Sequence, residues 1–332
     1  MSFVYVSNAV SGDVSVMHMA VNGELRLLPA VAVGGSPAPM AFSPAHAMLH
    51  VARRGQANAV MSYAVHTETG ALAPPVTTPL GAKMSYLALD HTATCLIGVS
   101  YHSHHLSVLR LSSDGLPQGQ AQVLATPLHP HSVVFSACNR YALVACLGAD
   151  VLQVYRFDAS NGQLSPQPVC EWLSRAGSGP RHFRFSPSGT HVYVLNELDA
   201  SLDVLSWEGH NAQLQHVQTL STLPPGFQGK PWAADLHLTA DGVFLLSCER
   251  SSSTMALFRV DRESGKLSLV SHTPVETQPR AFAIEASTQQ VLVAGQLSHH
   301  LARYRINGAA GSLDLLQRVP VGQEPLWVQI VD

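Results

Sequence analysis

Short apolar runs alternate with chain breakers along the whole sequence. Runs such as Phe3-Val4-Tyr5-Val6, Tyr141-Ala142-Leu143-Val144 and His191-Val192-Tyr193-Val194 are separated, roughly every 8–12 residues, by Gly, Pro, Asn, Asp or Ser. Almost no stretch repeats its apolar residues at the 3.6-residue spacing of a helix. This punctuation predicts an all-β chain.

The pattern is also self-similar. Gly179-Pro180-Arg181-His182-Phe183-Arg184-Phe185-Ser186-Pro187-Ser188-Gly189 leads into His191-Val192-Tyr193-Val194 and then Ser201-Leu202-Asp203-Val204-Leu205. The same order recurs from Pro130 and again from Pro279. The apolar residue five places after that Pro recurs as Phe42, Leu89, Phe135, Phe185, Leu238, Ile284 and Ile330, at spacings of 46 to 53 residues. That is the length of one four-stranded propeller blade, about 40–50 residues. The expected fold is therefore a seven-bladed β-propeller of antiparallel blades, a single domain over 1–332. The last blade has one strand near Ile330, and the segments 3–6 and 13–16 would complete it, closing the ring and removing its open sheet edges. A β/α barrel of this length needs eight helical segments, which the pattern lacks.

Composition narrows the function. Nineteen Lys and Arg oppose 22 Asp and Glu for a formal charge of −3, and charged residues are only 12% of the chain. So few basic residues argue against a nucleic-acid partner. No run approaches the ~20 apolar residues of a membrane helix, and no basic segment precedes an apolar one at the N-terminus. The five cysteines (95, 138, 146, 170 and 248) are scattered without a Cys-x-x-Cys pair, the usage of a reducing compartment. The expectation is a cytoplasmic protein without a membrane partner.

The repeats provide an internal control on candidate chemistry. One residue after the Pro, the seven units carry Ala38, Ser85, His131, Arg181, Ala234, Arg280 and Leu326. Just past the second strand they carry Arg54, Tyr101, Leu147, Glu197, Arg250 and Gln296. Both positions fall on one rim beside the propeller axis. Any one of these residues is readily explained as a solvated turn residue. Gathering Arg54, His131, Arg181, Glu197, Arg250 and Arg280 on one rim of so weakly charged a chain instead points to a pocket for a small anion, with acid–base chemistry beside it. The longest spacing inserts 223–232, with Lys230 between Phe227 and Trp232, into a loop on that rim that could close over a ligand. The 18 histidines include a cluster at His102, His104 and His105, but no spacing matches a known metal site, so neither metal nor cofactor is expected. Phosphate-loop and Gly-x-Ser-x-Gly signatures are also missing.

These rim residues carry a resemblance. Gly179-Pro180-Arg181-His182, Asn196-Glu197-Leu198, Trp232-Ala233-Ala234-Asp235-Leu236-His237, Cys248-Glu249-Arg250, Glu276-Thr277-Gln278-Pro279-Arg280, Ala294-Gly295-Gln296-Leu297-Ser298-His299-His300 and Val321-Gly322-Gln323-Glu324-Pro325-Leu326-Trp327-Val328 resemble the propeller-type bacterial 6-phosphogluconolactonases of the lactonase family. The first half departs more, with Ser136-Ala137-Cys138-Asn139 in place of a Ser-Pro-Asp turn and His-rich 101–105 in place of an ordinary polar loop.

The resemblance implies metal-free hydrolysis of a small phosphorylated sugar lactone, 6-phospho-D-glucono-1,5-lactone, in the oxidative pentose phosphate route. Residues proposed as functional in the family's carboxymuconate-cyclising relatives correspond to His131, Arg181, Glu197 and Arg250. His131 is the first choice as base, with Glu197 as the alternative; Arg181 and Arg250 would stabilise an oxyanion. Arg54, Lys230 and Arg280 are candidates for the phosphate, and His182, Gln296 and His299 for hydroxyls or phosphate. Two other readings stand beside this one: a related lactonase or cycloisomerase, and a non-catalytic interaction propeller.

Overall fold

Seven antiparallel sheets surround a central axis in a computed structural model that describes residues 2–332. Each expected apolar anchor lies on the inner strand of its own blade. In chain order these strands are Ser36–Ser43, Tyr86–Leu89, Pro130–Phe135, Pro180–Phe185, Ala233–Leu238, Pro279–Ile284 and Pro325–Val331. We number the blades 1 to 7 in that order. The inner strand of blade 7 pairs with Ser2–Asn8, which continues to Asp13–Met19 and Leu25–Ala32. The chain ends thus close the ring through one shared sheet.

Branched and aromatic residues of adjacent blades interdigitate to form the core. Phe183, Val192, Val194 and Leu205 of blade 4, for example, pack with Leu143, Leu152 and Val154 of blade 3. The outermost strands alternate burial and exposure, as expected where only one face of a strand has a neighbour. Tight turns join the first two strands of a blade. In blade 4, Gly189 takes φ +70°, and the Ser186 hydroxyl accepts from the amides of Thr190 and His191 at 3.2 and 3.1 Å. Blade 3 makes the equivalent turn through Ser136-Ala137-Cys138-Asn139, with Asn139 at φ +56°, a conformation Asn tolerates better than most residues. The departure in sequence leaves the turn intact.

One irregularity, repeated around the ring, positions the site. The register between first and second strands slips between Pro130 and Ser132, Pro180 and His182, Ala233 and Asp235, and Pro279 and Ala281. Blade 1 slips between Pro37 and Met40, and blade 7 where Asn8 opposes Pro325 and Ser7 opposes Trp327. Each slip is a β-bulge. A bulge adds a residue, re-aims its side chain and increases local twist. His131, Arg181, Ala234 and Arg280 are those extra residues. A leading Pro suits this place, since it has no amide to donate into the ladder.

Candidate active site

Because the bulged residue and its successor both line the channel, the inner strands stack side chains in layers. The top layer holds His131, Arg181 and Arg280. Tyr86, His182, Asp235 and Trp327 form the layer below. Alternation then brings Arg184 and His237 to the next layer. The upper mouth is a cavity of about 230 Å³ lined by Arg54, Lys83, Met84, Ser85, Tyr101, His102, His131, Glu197, Trp232, Arg250 and Arg280. It narrows past Arg181, His182 and Trp327. A second funnel of about 500 Å³ opens on the opposite face. The lower funnel is larger and is lined by His91, Arg184, Asp235, His237 and Asp332 among aliphatic residues, but Arg184 and His237 are held by Asp235 and His91 lies 3.0 Å from the Ser136 carbonyl. The upper mouth is where arginines gather: Arg54, Arg250 and Arg280 line it beside His131 and Glu197.

Glu197 organises that mouth. Arg181 Nε donates to its Oε2 at 2.7 Å, and the Arg250 guanidinium lies 2.9 Å from the same oxygen. Trp232 Nε1 donates to Oε1 at 3.3 Å. The Glu197 side chain is 14% exposed and that of Arg181 only 2%. Burial alone would raise the Glu197 carboxyl, but Arg181 and Arg250 outweigh it and hold the group below its usual range. Glu197 is thus an anion already occupied by donors, and a weak base.

His131 is the opposite case. It is buried, its Nδ1 has no partner among the described residues, and its ring packs edge-on against His182 with centroids 5.1 Å apart. Burial first, then Arg181, His182, Arg280 and Arg250, push it well below the ordinary imidazole range. The free protein therefore holds a neutral imidazole at the cavity wall; its Nδ1 is shielded from solvent, and with no hydrogen bond to Nε2 either, Nε2 is the nitrogen left to meet water or a ligand. Such a group donates from one ring nitrogen and accepts at the other, and it becomes a competent general acid only after it has taken a proton.

Below this layer His182 has both ring nitrogens engaged. Its Nδ1 contacts Asp235 Oδ1 at 2.7 Å, and its Nε2 lies 3.2 Å from an Arg181 nitrogen. Arg181 must donate there, so Nε2 accepts and Nδ1–H donates to Asp235. Burial, then Arg181, lowers His182 to about 3, so it stays neutral. Arg181 also donates to the Ala234 carbonyl. The sequence reading gave His182 a substrate contact; its geometry is that of a brace holding Arg181 in line with Glu197.

Of the ten residues singled out by sequence, His131, Glu197, Arg250, Arg54 and Arg280 line the upper cavity, and Arg181 and His182 line its floor. The other three are not brought there. Lys230 is exposed on the inserted loop. The Gln296 side chain accepts from Gln278 at 3.0 Å, and His299 Nδ1 accepts from the Glu324 amide at 3.2 Å. The inserted loop reaches the mouth through Trp232, whose ring covers the Arg250 guanidinium at 3.9 Å. Its amide donates to Glu249 at 2.5 Å, fixing this end of the loop.

The His-rich segment forms a stack. Tyr101 lies parallel to His129 at 4.2 Å, and His104 Nδ1 accepts from the His129 amide at 3.1 Å. Among the described residues no group of three or more His, Cys, Asp or Glu could hold a metal ion.

Lys83, Tyr101, His102, Trp232 and Asp235 were not assigned a role from the sequence. For Asp235 a signal existed. The repeat position after the bulge reads Pro39, Tyr86, Ser132, His182, Asp235, Ala281 and Trp327, and its departures from a uniform residue mark the constriction. Lys83 and His102 lie outside the repeating positions and gave no such signal.

The family model described as "Lactonase, 7-bladed beta-propeller" matches residues 3–330. A 6-phosphogluconolactonase of Cronobacter sakazakii is 36% identical over 327 residues, covering 98% of this chain and 97% of its own. One from Pectobacterium carotovorum is 35% identical over 99% of this chain and 98% of its own. The solved structure of a periplasmic gluconolactonase from Pseudomonas aeruginosa superposes with a TM-score of 0.91 at 29% identity, covering 100% of this chain and 99% of that one.

Proposed function

The chain belongs to the lactonase seven-bladed β-propeller family, and from that premise we propose how it hydrolyses 6-phospho-D-glucono-1,5-lactone to 6-phospho-D-gluconate, a step of the oxidative pentose phosphate route. The observation that carries the mechanism is the division of labour between two candidate bases. Glu197 is held as an anion by Arg181, Arg250 and Trp232, whereas His131 lines the cavity as a neutral imidazole with no hydrogen bond to a described residue. This ranks His131 as the base.

A water on His131 gives up a proton as its oxygen bonds to the lactone carbonyl carbon. The negative charge that develops on the carbonyl oxygen is met by the fixed positive charge of Arg250 and Arg181, in a mouth partly shielded by Trp232. When the tetrahedral intermediate collapses, the bond from that carbon to the ring oxygen breaks. The imidazolium returns its proton to the departing ring oxygen, and the new carboxylic acid ionises in solvent. Glu197 holds the two guanidiniums apart and aimed. No step needs a metal ion.

Among the described residues no helix is long and apolar enough to cross a membrane. The free thiols at Cys95, Cys138, Cys146, Cys170 and Cys248 support a cytoplasmic site of action.

The test is turnover of freshly prepared phosphogluconolactone, with spontaneous opening subtracted, with and without a chelator. Turnover that survives the chelator agrees with the proposal. Turnover confined to a muconate or an unphosphorylated lactone would overturn the substrate assignment, and none on any lactone would favour an interaction propeller.

A further inference from the structure

The charged groups of the upper mouth are not spread evenly around the ring. His131, Arg181, Glu197 and Arg250 come from blades 3, 4 and 5. Arg280 comes from blade 6 and Arg54 from blade 1, on either side of blade 7, which places Leu326 at the bulge between them. On the first side one carboxylate offsets part of the charge, because Arg181 and Arg250 share Glu197. On the other side no carboxylate plays this part. Arg54 spends its Nε and one terminal nitrogen on the Met84 carbonyl at 2.9 and 2.6 Å, with no carboxylate in contact. Arg280 has neither a hydrogen-bond nor an ion-pair partner among the described residues, though it lines both the upper cavity and its floor. Burial and the nearby Arg181, Arg250 and Arg54 disfavour its charge. A half-buried guanidinium without an anion is costly, and this one is kept beside three others.

Resting on the substrate reading above, we propose that Arg280 and Arg54 form the phosphate cradle and set the preference for a phosphorylated lactone. Two features of the substrate match. A phosphate monoester carries about −1.5 to −2 near neutral pH, the charge that two uncompensated guanidiniums lack. Its carbonyl carbon and its phosphate lie at opposite ends of a six-carbon skeleton, and the arginines that share Glu197 and those without a carboxylate occupy successive arcs of the mouth, blades 4 and 5 and then 6 and 1. Anchoring the phosphate across blades 6, 7 and 1 turns the carbonyl toward His131 and Arg250. Arginine suits this task through its planar fork of donors.

The experiment compares kcat/KM for phosphogluconolactone and for unphosphorylated glucono-1,5-lactone in the wild type, Arg280→Met, Arg54→Met and, as a control, Lys230→Met on the exposed loop. Arg280→Met should lose about a hundredfold on the phosphorylated substrate and less than about threefold on the unphosphorylated one. Inorganic phosphate should inhibit the wild type competitively and inhibit Arg280→Met at least tenfold more weakly. Lys230→Met should match the wild type. Should Arg280→Met fail to fold, Arg280→Lys and Arg54→Met carry the same comparison, each lowering the preference at least tenfold. Equal losses on both lactones, or a preserved preference, would overturn the cradle. A wild type that shows no preference for the phosphorylated lactone would instead overturn the substrate reading on which it rests.

Discussion

The assignment of His131 as base can be tested through the pH dependence of kcat/KM, which reports groups in the free enzyme. An unperturbed imidazole titrates near 6.5, so at pH 5.5 about nine-tenths of it is protonated and a rate that needs the neutral form drops about tenfold. His131 is not such a group. Burial disfavours its charged form, and Arg181, His182, Arg280 and Arg250 add to that effect, leaving its pKa well below 6.5. The neutral form therefore persists further into the acid than for an ordinary imidazole, so kcat/KM should fall by clearly less than that tenfold between pH 7 and 5.5. Once a phosphorylated substrate fills the mouth, its negative charge opposes the arginines and raises His131. The acid limb of kcat should therefore lie at higher pH than that of kcat/KM.

A pH-stat measures this directly, since each turnover releases one proton from the new carboxylic acid, and spontaneous opening is subtracted at every pH. His131→Asn should lower kcat by about 10²–10⁴, the usual contribution of a general base, with a much smaller change in KM. An acid limb of kcat/KM centred near 6.5 would refute the electrostatic reasoning. A variant with wild-type kcat and a raised KM would refute the role.

Two further outcomes follow from the buried charges. Glu197→Gln leaves Arg181 and Arg250 facing each other without their shared carboxylate, and unfolding in denaturant should show a loss of about 3 kcal/mol, as expected for breaking a buried pair; an unchanged midpoint would mean that the triad contributes nothing to the fold. His50 is lowered to about 4 by burial and then His46, His182 to about 3 by burial and then Arg181, and His131 is lowered with them. The unfolded chain protonates these three near 6.5 while the folded one does not, so stability falls as pH drops below 6.5. Between pH 6 and 5 the loss should be on the order of 3 kcal/mol. Denaturant titrations at the two pH values check this, and stability that is constant or rises toward pH 5 counts against it.

The architecture was legible because a propeller repeats one problem seven times. Phe135, Phe185 and Ile284 solve it alike, and the alignment of their neighbours placed His131, Arg181 and Arg280 at one rim before any contact was known. Turns with different residues, Ser186-Pro187-Ser188-Gly189 and Ser136-Ala137-Cys138-Asn139, meet one requirement, a left-handed residue at the end, so their sequences diverge without consequence. Pairing was not legible. Position alone does not distinguish Arg250, bound to Glu197, from Arg280, which has no hydrogen-bond or ion-pair partner among the described residues. Nor does it reveal that His182 spends both nitrogens on Asp235 and Arg181. The non-repeating loops were the least legible: Lys230 was expected at the pocket, yet the loop brings Trp232 there and leaves Lys230 in solvent.

The bulges account for why chemistry gathers on one face. A regular strand would send alternate side chains to the channel, leaving a ring of seven residues at each level, two residues apart. The extra residue at the start of the inner strand puts consecutive positions into the channel, so that Arg181 and His182, or Ala234 and Asp235, meet across blades 4 and 5. That contact lets a deeply buried carboxylate hold the upper arginine: Asp235 fixes the His182 tautomer, His182 accepts from Arg181, and Arg181 donates to Glu197. The first two strands of each blade show no such slip at the lower face, and of the ionisable residues there Arg184 and His237 both settle near Asp235. The two faces are therefore coupled through one buried acid, and the face with the bulges is the one left with uncompensated positive charge.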